Sequence, residues 1–215
     1  MFSHFARPEL LPSPWSDRRS CSGDDMLAGQ ALRELNVGCA GLQALDRIGL
    51  NIDFDELRRS RAAVPDAVLI CGKAEALPIA DNALRCVYST VTLPYTNIPQ
   101  ALREIWRVLA PGGTAHLRFH DWWMWRERTW RSLRRGNWKD VTFQAYTLLN
   151  SQFLWFGTVM RFPLRRSRLE SYQSPELVRH LLQRAGFGDV VVKRDHPHLR
   201  AFAAKPCSIF ELSHR

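Results

Sequence analysis

Four short segments in the first 115 residues occur in an order that constrains the fold more than any other feature of the chain. An apolar stretch that ends in glycines comes first, and a second apolar stretch ends in an acidic residue. A third segment turns into a proline, and an amphipathic fourth segment stops at Pro-Gly-Gly. The segments are Leu35–Gly41, Leu50–Asp53, Gly72–Pro78 and Ala101–Gly113. Short apolar strands that alternate with helical segments predict a parallel sheet covered by helices.

The spacing of these segments predicts a nucleotide-type ligand across the carboxyl ends of parallel strands. Gly38 and Gly41 stand where backbone must approach such a ligand. Asp53, at the end of the second strand, offers two oxygens to both hydroxyls of a ribose. An alternative register places Asn51 there. The competing interpretation of the glycines is a strand turn that binds no ligand. The competing interpretation of Asp53 is a solvated acid in a turn.

The stretch from about Glu34 to Asp121 resembles the class I S-adenosylmethionine-dependent methyltransferases, most of all at Ala101–Gly113. It looks most like the small branch in which an Asn-x-Asp strand follows the glycine turn almost at once, with a very short first helix between them. The resemblance implies a Rossmann-like three-layer α/β sandwich. Its seven-stranded sheet would be mainly parallel, with an antiparallel last strand. The implied cofactor is S-adenosylmethionine.

The resemblance also implies which residues bind the cofactor. They follow four strands: Asn36, Val37, Gly38, Cys39, Ala40 and Gly41; Asp53 and Phe54; Lys73, Ala74 and Glu75; and Ser89 and Thr90. Glu75 could equally be a carboxylate at a helix start. Four positions depart from the family pattern, namely Asn36, Ala40, Leu42 and Lys73, which replace an acid, two glycines and an acid. Each departure weakens a contact with the cofactor.

The candidate catalytic residues follow the fourth and fifth strands. Tyr95 could position the substrate or only pack, and His120 with Asp121 ends the fifth strand at the edge where substrates enter in the family. A histidine beside a carboxylate suits general base catalysis near neutral pH, although a satisfied core histidine is the competing interpretation. Neighbours on a strand point to opposite faces, so His120 and Asp121 need not touch. Glu170–Gln173 either closes over the substrate or leads into a helix that starts at Pro175.

The cysteine and histidine patterns do not favour a metal site. The five cysteines form no CxxC pair, and Cys39, Cys71 and Cys86 lie in or beside predicted strands, as reduced thiols of a cytoplasmic protein would. No apolar run is long enough to predict a spanning helix. Residues 1–23 contain no signal-peptide pattern and are interpreted as a loose arm before a single domain over 24–215.

A basic, tryptophan-rich segment, Trp122–Arg168, predicts a helical insertion after the fifth strand. It contains ten basic residues against Glu127 and Asp140, and six of the eight tryptophans, in a chain of net charge +9. Three functions suit this composition. The first in preference is a lid over a small anionic or aromatic substrate, the second is peripheral membrane contact, and the third is nucleic-acid binding.

The sequence therefore predicts methyl transfer from S-adenosylmethionine to a small organic or lipid-like acceptor by in-line displacement. His120 or Tyr95 would orient or deprotonate the acceptor. The alternative is a catalytically inactive relative that serves as a binding or scaffold protein, with the basic insertion against a membrane surface, a nucleic acid or a protein. The expected location is cytoplasmic, with or without membrane-surface association.

Overall fold

A computed structural model describes residues 34–38, 47–63, 65, 67–161 and 169–207. All of them belong to one compact unit that spans Leu32–Arg215. The predicted N-terminal arm, the domain start at residue 24, the very short first helix and the glycine-turn residues Cys39, Ala40 and Gly41 lie outside the described residues.

Within the described residues, seven strands form one sheet in the order β3-β2-β1-β4-β5-β7-β6. The strands are β1 (Glu34–Val37), β2 (Arg47–Asn51), β3 (Val68–Cys71), β4 (Leu84–Thr90), β5 (Leu109–His120), β6 (Gly188–Asp195) and β7 (His198–Ala204). The pairs among β1 to β5 are parallel, and β7 runs antiparallel to both β5 and β6. The predicted seven-stranded, mainly parallel sheet with an antiparallel last strand is therefore confirmed.

Five α-helices accompany the sheet in the part of the chain that the structure describes. They are α1 (Phe54–Ala63), α2 (Ile98–Val108), α3 (Trp122–Arg134), α4 (Trp138–Phe153) and α5 (Pro175–Arg184). Helix α5 begins as its sequence predicts, because the Ser174 hydroxyl accepts a hydrogen bond from the Leu177 N–H and Pro175 occupies the first turn. The amphipathic helix α2 buries Leu102, Ile105 and neighbouring apolar residues against the sheet.

Two strand predictions were wrong in detail. The second strand ends at Asn51 rather than at Asp53, because Asp53 Oδ1 accepts hydrogen bonds from the N–H groups of Asp55 and Glu56 and so starts α1. The four apolar residues before Cys71 predict a strand buried on both faces, but β3 is an edge strand and Val68 is exposed. Its only strand neighbour among the described residues is β2, so one side of β3 lacks a covering partner.

The insertion after β5 forms two helices, α3 and α4, as predicted, with Gly136 in the turn between them. The segment 143–162 is apolar enough to predict a buried lid helix or one that dips into a membrane. It is not one helix, since α4 ends at Phe153 and a 3₁₀ turn covers Leu154–Phe156. Among the described helices, none combines the length and hydropathy that crossing a membrane requires.

Candidate active site

A cleft of about 610 Å³ opens at the carboxyl ends of β1, β2 and β3. This volume is typical of small-molecule sites, and the edge is the one where ligands bind in open parallel sheets. Of the predicted site residues, those that line the cleft are Val37, Gly38, Lys73, Ala74, Glu75 and Tyr95. The sequence therefore predicted both the edge of the sheet and several of the residues around the cleft.

Gly38 follows β1 in a backbone conformation that favours glycine, with φ of +80°. Its N–H donates to the Leu50 carbonyl at 2.7 Å, which ties the turn to β2. A Cβ atom at Gly38 would lie 1.7 Å from Thr92 Oγ1, so no larger residue fits. Thr92 lines the same cleft, and sequence analysis missed it because only the tertiary structure brings it opposite Gly38.

At the end of β2 the cleft is lined by Asn51 and Ile52. Asp53 is exposed and does not line the cleft formed by the described residues, and Phe54 begins α1 without lining it. The Asn51 side-chain oxygen accepts a hydrogen bond from the Asp53 N–H at 3.0 Å, which orients the amide. The polar side chain that β2 presents to the cleft is thus Asn51, the alternative register of the sequence interpretation.

Beyond β3, Glu75 connects the cleft wall to α2. Its Oε1 accepts a hydrogen bond from the N–H of Asn97, the residue that caps α2, at 3.0 Å. Gln100 donates its side-chain N–H to the Glu75 carbonyl at 3.1 Å. Glu75 is therefore a carboxylate at a helix start, the start of α2, and it holds Lys73 and Ala74 against the cleft.

Ser89 and Thr90, at the end of β4, do not line the cleft formed by the described residues. Ser89 is fully buried, and its Oγ has no hydrogen-bond partner among those residues. Val91 follows with φ of 59°, a conformation that β-branched residues rarely adopt. The chain turns there, and Thr92 rather than Thr90 reaches the cleft.

Two predicted catalytic residues meet in the structure. His120 Nε2 lies 2.9 Å from Tyr95 Oη, and the rings pack edge to face. His120 is 3% exposed, whereas Tyr95 is 41% exposed and lines the cleft. Burial, with the nearby charges of Arg128 and His198, lowers the pKa of His120 to about 4. His120 is therefore neutral near pH 7, with one ring nitrogen able to accept a proton.

Asp121 does not support His120. The His120 Nδ1 atom has no hydrogen-bond partner among the described residues, and Asp121 Oδ2 lies 3.6 Å from Arg194 Nε instead. Asp121 is buried at the residue before α3, where its side chain caps no N–H of the described helix. The histidine–carboxylate pairing that a sequence neighbour could suggest is thus absent within the described structure, as strand alternation allows.

The segment Glu170–Gln173 is buried between the insertion and the sheet. Its backbone joins two parts of the site, since the Ser171 N–H donates to the Pro94 carbonyl and the Gln173 N–H to the His120 carbonyl. It therefore packs as a structural wedge behind Tyr95 and His120, and it also leads into α5.

An arginine that sequence analysis did not single out anchors this wedge. Arg128 Nη1 donates to Glu170 Oε1 at 2.9 Å and to Tyr172 Oη at 2.8 Å. Burial, with the neighbouring Glu170 charge, raises the pKa of Tyr172, which keeps its phenol protonated. Among the described residues in or next to the insertion, those that line the cleft are Arg161 and Leu169, so α3 and α4 do not roof it.

Known proteins resemble this chain in sequence over its first half. A protein-family model described as a methyltransferase domain matches residues 28–117. The demethylmenaquinone methyltransferase of Renibacterium salmoninarum is 36% identical over 90 residues, which are 41% of this chain and 37% of that protein. The bifunctional biotin biosynthesis protein of Cellvibrio japonicus is 35% identical over 72 residues, 33% of this chain and 14% of that protein. The chain thus spans well under half the length of either relative.

Solved structures resemble the chain over most of its length. An S-adenosylmethionine-dependent methyltransferase from Methanosarcina mazei aligns with a TM-score of 0.56 and 16% identity, covering 82% of this chain and 93% of that one. One from Mesorhizobium loti aligns with a TM-score of 0.53 and 15% identity, covering 81% and 91%. These likenesses show the fold, and the family-model match adds the sequence of the cleft. The chain therefore has the fold of these S-adenosylmethionine-dependent methyltransferases, and residues 28–117 match the methyltransferase-domain model.

Proposed function

We propose that this chain transfers a methyl group from S-adenosylmethionine to a small organic or lipid-like acceptor. The observation that carries the proposal is that the cleft behind Gly38 and the Tyr95–His120 pair share one wall. A group able to accept a proton thus lies beside the cleft in which the family's cofactor would bind. The demethylmenaquinone methyltransferase that this chain resembles is named for a small-molecule acceptor, which is compatible with the proposal.

The residues around the cleft fit the cofactor. Gly38 lines the cleft without a side chain, so its backbone can contact the methionine part, next to the proposed contacts at Asn36, Cys39, Ala40 and Gly41. The Asn51 amide can accept from and donate to ribose hydroxyls. Asp53 is a second ribose candidate through Oδ2, since Oδ1 caps α1. The family carries an acid at the position of Lys73, where it contacts the adenine. In this chain the Ala74 backbone makes that contact instead.

The chain's own contribution to the reaction is positioning and proton transfer. S-adenosylmethionine supplies, when bound, an activated methyl group that needs an in-line nucleophile rather than covalent help from the protein. Tyr95 Oη contacts the acceptor and holds it at the cleft wall. Because His120 is neutral at pH 7, its Nε2 can take the acceptor proton through Tyr95 Oη. The wedge Glu170–Gln173 excludes water from behind the pair.

Calorimetric titration with S-adenosylmethionine and S-adenosylhomocysteine tests the cofactor site. We expect micromolar binding that weakens about tenfold in Asn51→Ala, the loss of roughly one good hydrogen bond. Asp55→Ala, an exposed acid in the first turn of α1, is the matched control and should bind as the wild type does. Loss in Asp53→Ala alone would assign the ribose contact to Asp53.

Methyl transfer is then followed with cofactor labelled in the methyl group and with lipid and small-molecule extracts as acceptors. Tyr95→Phe should keep the cofactor dissociation constant and lower label incorporation by about 10²-fold or more. Equal incorporation in this variant would contradict the role of Tyr95. A folded wild-type protein that binds neither ligand at millimolar concentration would overturn the proposed function.

The second candidate is a catalytically inactive binding or scaffold protein. One observation favours it: Lys73 lines the cleft where the family commonly has an acid, and the described part of the cleft has no carboxylate from Asp53. A cofactor site with a cation in place of its acceptors would bind weakly. Failure of both titrations would select this candidate.

A further inference from the structure

The outer face of α3, formed by Trp123, Arg126, Trp130, Leu133 and Arg134, is exposed although it is rich in aromatic residues. These positions recur at helical spacing and therefore share one side of the helix. Within α3, all of which the structure describes, no side chain is buried, and Trp123, Trp130 and Leu133 are 42%, 57% and 44% exposed. A groove of about 620 Å³ runs along this face. Exposed apolar surface of this extent marks an interaction site.

The inner face of α3 is already occupied, which fixes the outer face in place. Trp125 donates its indole N–H to the Gln144 carbonyl of α4 at 2.9 Å, and Arg128 bonds to Glu170. Trp122 stacks on Trp125 with ring centroids 4.5 Å apart. These contacts hold α3 in one orientation, so its outer face stays exposed even though the helix is well packed on its inner side.

Arginines interleave with the tryptophans on the outer face. The Arg126 guanidinium carbon lies 3.8 Å from the Trp123 ring centroid, and that of Arg134 lies 4.9 Å from the Trp130 centroid. Glu127, the acid beside the groove, is paired with Arg131. Over residues 122–161 seven basic side chains face only two acidic ones, so the surface is strongly cationic. Cations held at aromatic rings suit the headgroup layer of an anionic bilayer.

Helix α4 adds an exposed apolar surface. Trp138, Leu149 and Phe153 are 71%, 53% and 43% exposed, and Phe156 in the following turn is 74% exposed. From residue 141 to residue 160 the sequence has no charged side chain. A nucleic-acid interface would need further cations there, whereas contact with acyl chains is favoured by apolar side chains. The observations therefore favour a lipid surface over a nucleic acid.

We propose that the α3–α4 hairpin docks the protein on an anionic phospholipid surface, with the outer face of α3 at headgroup depth. The proposal goes beyond the methyltransferase activity and does not depend on it, because lipid binding needs no cofactor. A protein docked in this way would meet lipid-like acceptors at the membrane.

Flotation of the full chain with vesicles tests the proposal. Phosphatidylcholine vesicles with phosphatidylglycerol should carry the protein, those of phosphatidylcholine alone should not, and high salt should release it. Arg126→Glu with Arg134→Glu should lower partitioning about tenfold or more. Arg58→Glu with Arg103→Glu, at exposed positions on α1 and α2, changes net charge equally and should lower it less than about threefold.

Tryptophan variants separate insertion from simple charge attraction. Trp123→Ser with Trp130→Ser should reduce the blue shift of tryptophan fluorescence on vesicles and weaken flotation, whereas Trp130→Phe, which keeps an apolar ring, should float normally. The proposal would be overturned if both double arginine variants lost vesicle partitioning equally, or if the folded wild type did not bind anionic vesicles. Salt-sensitive binding to a single-stranded RNA without vesicle binding would overturn it in favour of nucleic acid.

Discussion

At the scale of single residues, the burial of His120 in the Tyr95–His120 contact should make the stability of the fold depend on pH. The imidazole is buried beside Arg128 and His198, and its neutral form still holds the Tyr95 hydroxyl at 2.9 Å. The surroundings that lower the pKa of His120 keep it unprotonated at pH 7 and resist its protonation as the pH falls.

The acid sensitivity of the fold should therefore depend on His120. Its pKa is about 4 in the folded protein and near 6.5 when unfolded, so the unfolded state binds more protons between these values. The free energy of unfolding should fall by roughly 3 kcal/mol from this residue as pH drops from about 6.5 to 4. Denaturant titrations across this pH range measure the effect.

In His120→Asn this part of the pH dependence should disappear. His198, whose pKa is also lowered, should still contribute to the pH dependence of the unfolding free energy. His180→Asn on α5 is the matched control and should retain the wild-type slope. An unchanged slope in His120→Asn would show that the buried histidine does not titrate as proposed.

At the scale of elements, both helices of the insertion bond to the buried residue Glu170. Glu170 is fully buried, and Arg128 reaches it from α3 across 42 positions of sequence. Asn150 of α4 donates its side-chain N–H to the Glu170 carbonyl at 2.9 Å. Both helices of the insertion thus bond to the wedge behind Tyr95 and His120.

Arg128→Met should destabilise the protein by about 2 to 4 kcal/mol, because it removes the cation that offsets a buried charge. Chemical denaturation measures the loss, and Glu170→Gln in the same chain should restore part of it. Arg131→Met breaks the pair with Glu127, in which both side chains are more than half exposed, and should cost less than about 1 kcal/mol. Equal costs for the two arginines would contradict the anchoring role.

At the scale of the whole molecule, the candidate site and a lysine that stabilises the fold lie at opposite ends of the parallel strands. The cleft and the Tyr95–His120 pair lie at the carboxyl ends of the parallel strands, whereas Lys205 lies at their amino ends. Its ammonium donates to Asn82 Oδ1 at 2.7 Å, to the Trp106 carbonyl at 3.0 Å and to the Leu109 carbonyl at 2.8 Å. Lys205 thus ties the end of β7 to the end of α2, the start of β5 and the turn before β4.

Lys205→Met should cost about 2 to 4 kcal/mol of unfolding free energy, since two buried carbonyls lose their donor. Cofactor binding by the folded variant should not change, because the substitution is far from the cleft. Lys193→Met, at an exposed position on β6, is the matched control and should stay within about 0.5 kcal/mol of the wild type. A weakened cofactor site in Lys205→Met would contradict the separation.

The sequence by itself determined the features that depend on neighbouring residues. Helical spacing indicated α2, although the helix ends at Val108 and Pro111-Gly112-Gly113 lie within β5. Pro175 indicated the start of α5, and alternating elements indicated the parallel sheet. Gly38 at the end of an apolar strand indicated the edge at which the cleft lies. These signals are local because hydrogen bonding and side-chain spacing within an element act over a few residues.

Only the tertiary structure decided which distant residues meet. Tyr95 and His120 are 25 positions apart and Arg128 and Glu170 are 42 apart, and each pair forms because separate elements end at the same edge of the sheet. Whether Asn51 or Asp53 points into the cleft depended on a competition that spacing cannot resolve. Asp53 Oδ1 accepts hydrogen bonds from the N–H groups at the start of α1, so β2 ends two residues early and Asn51 lines the cleft.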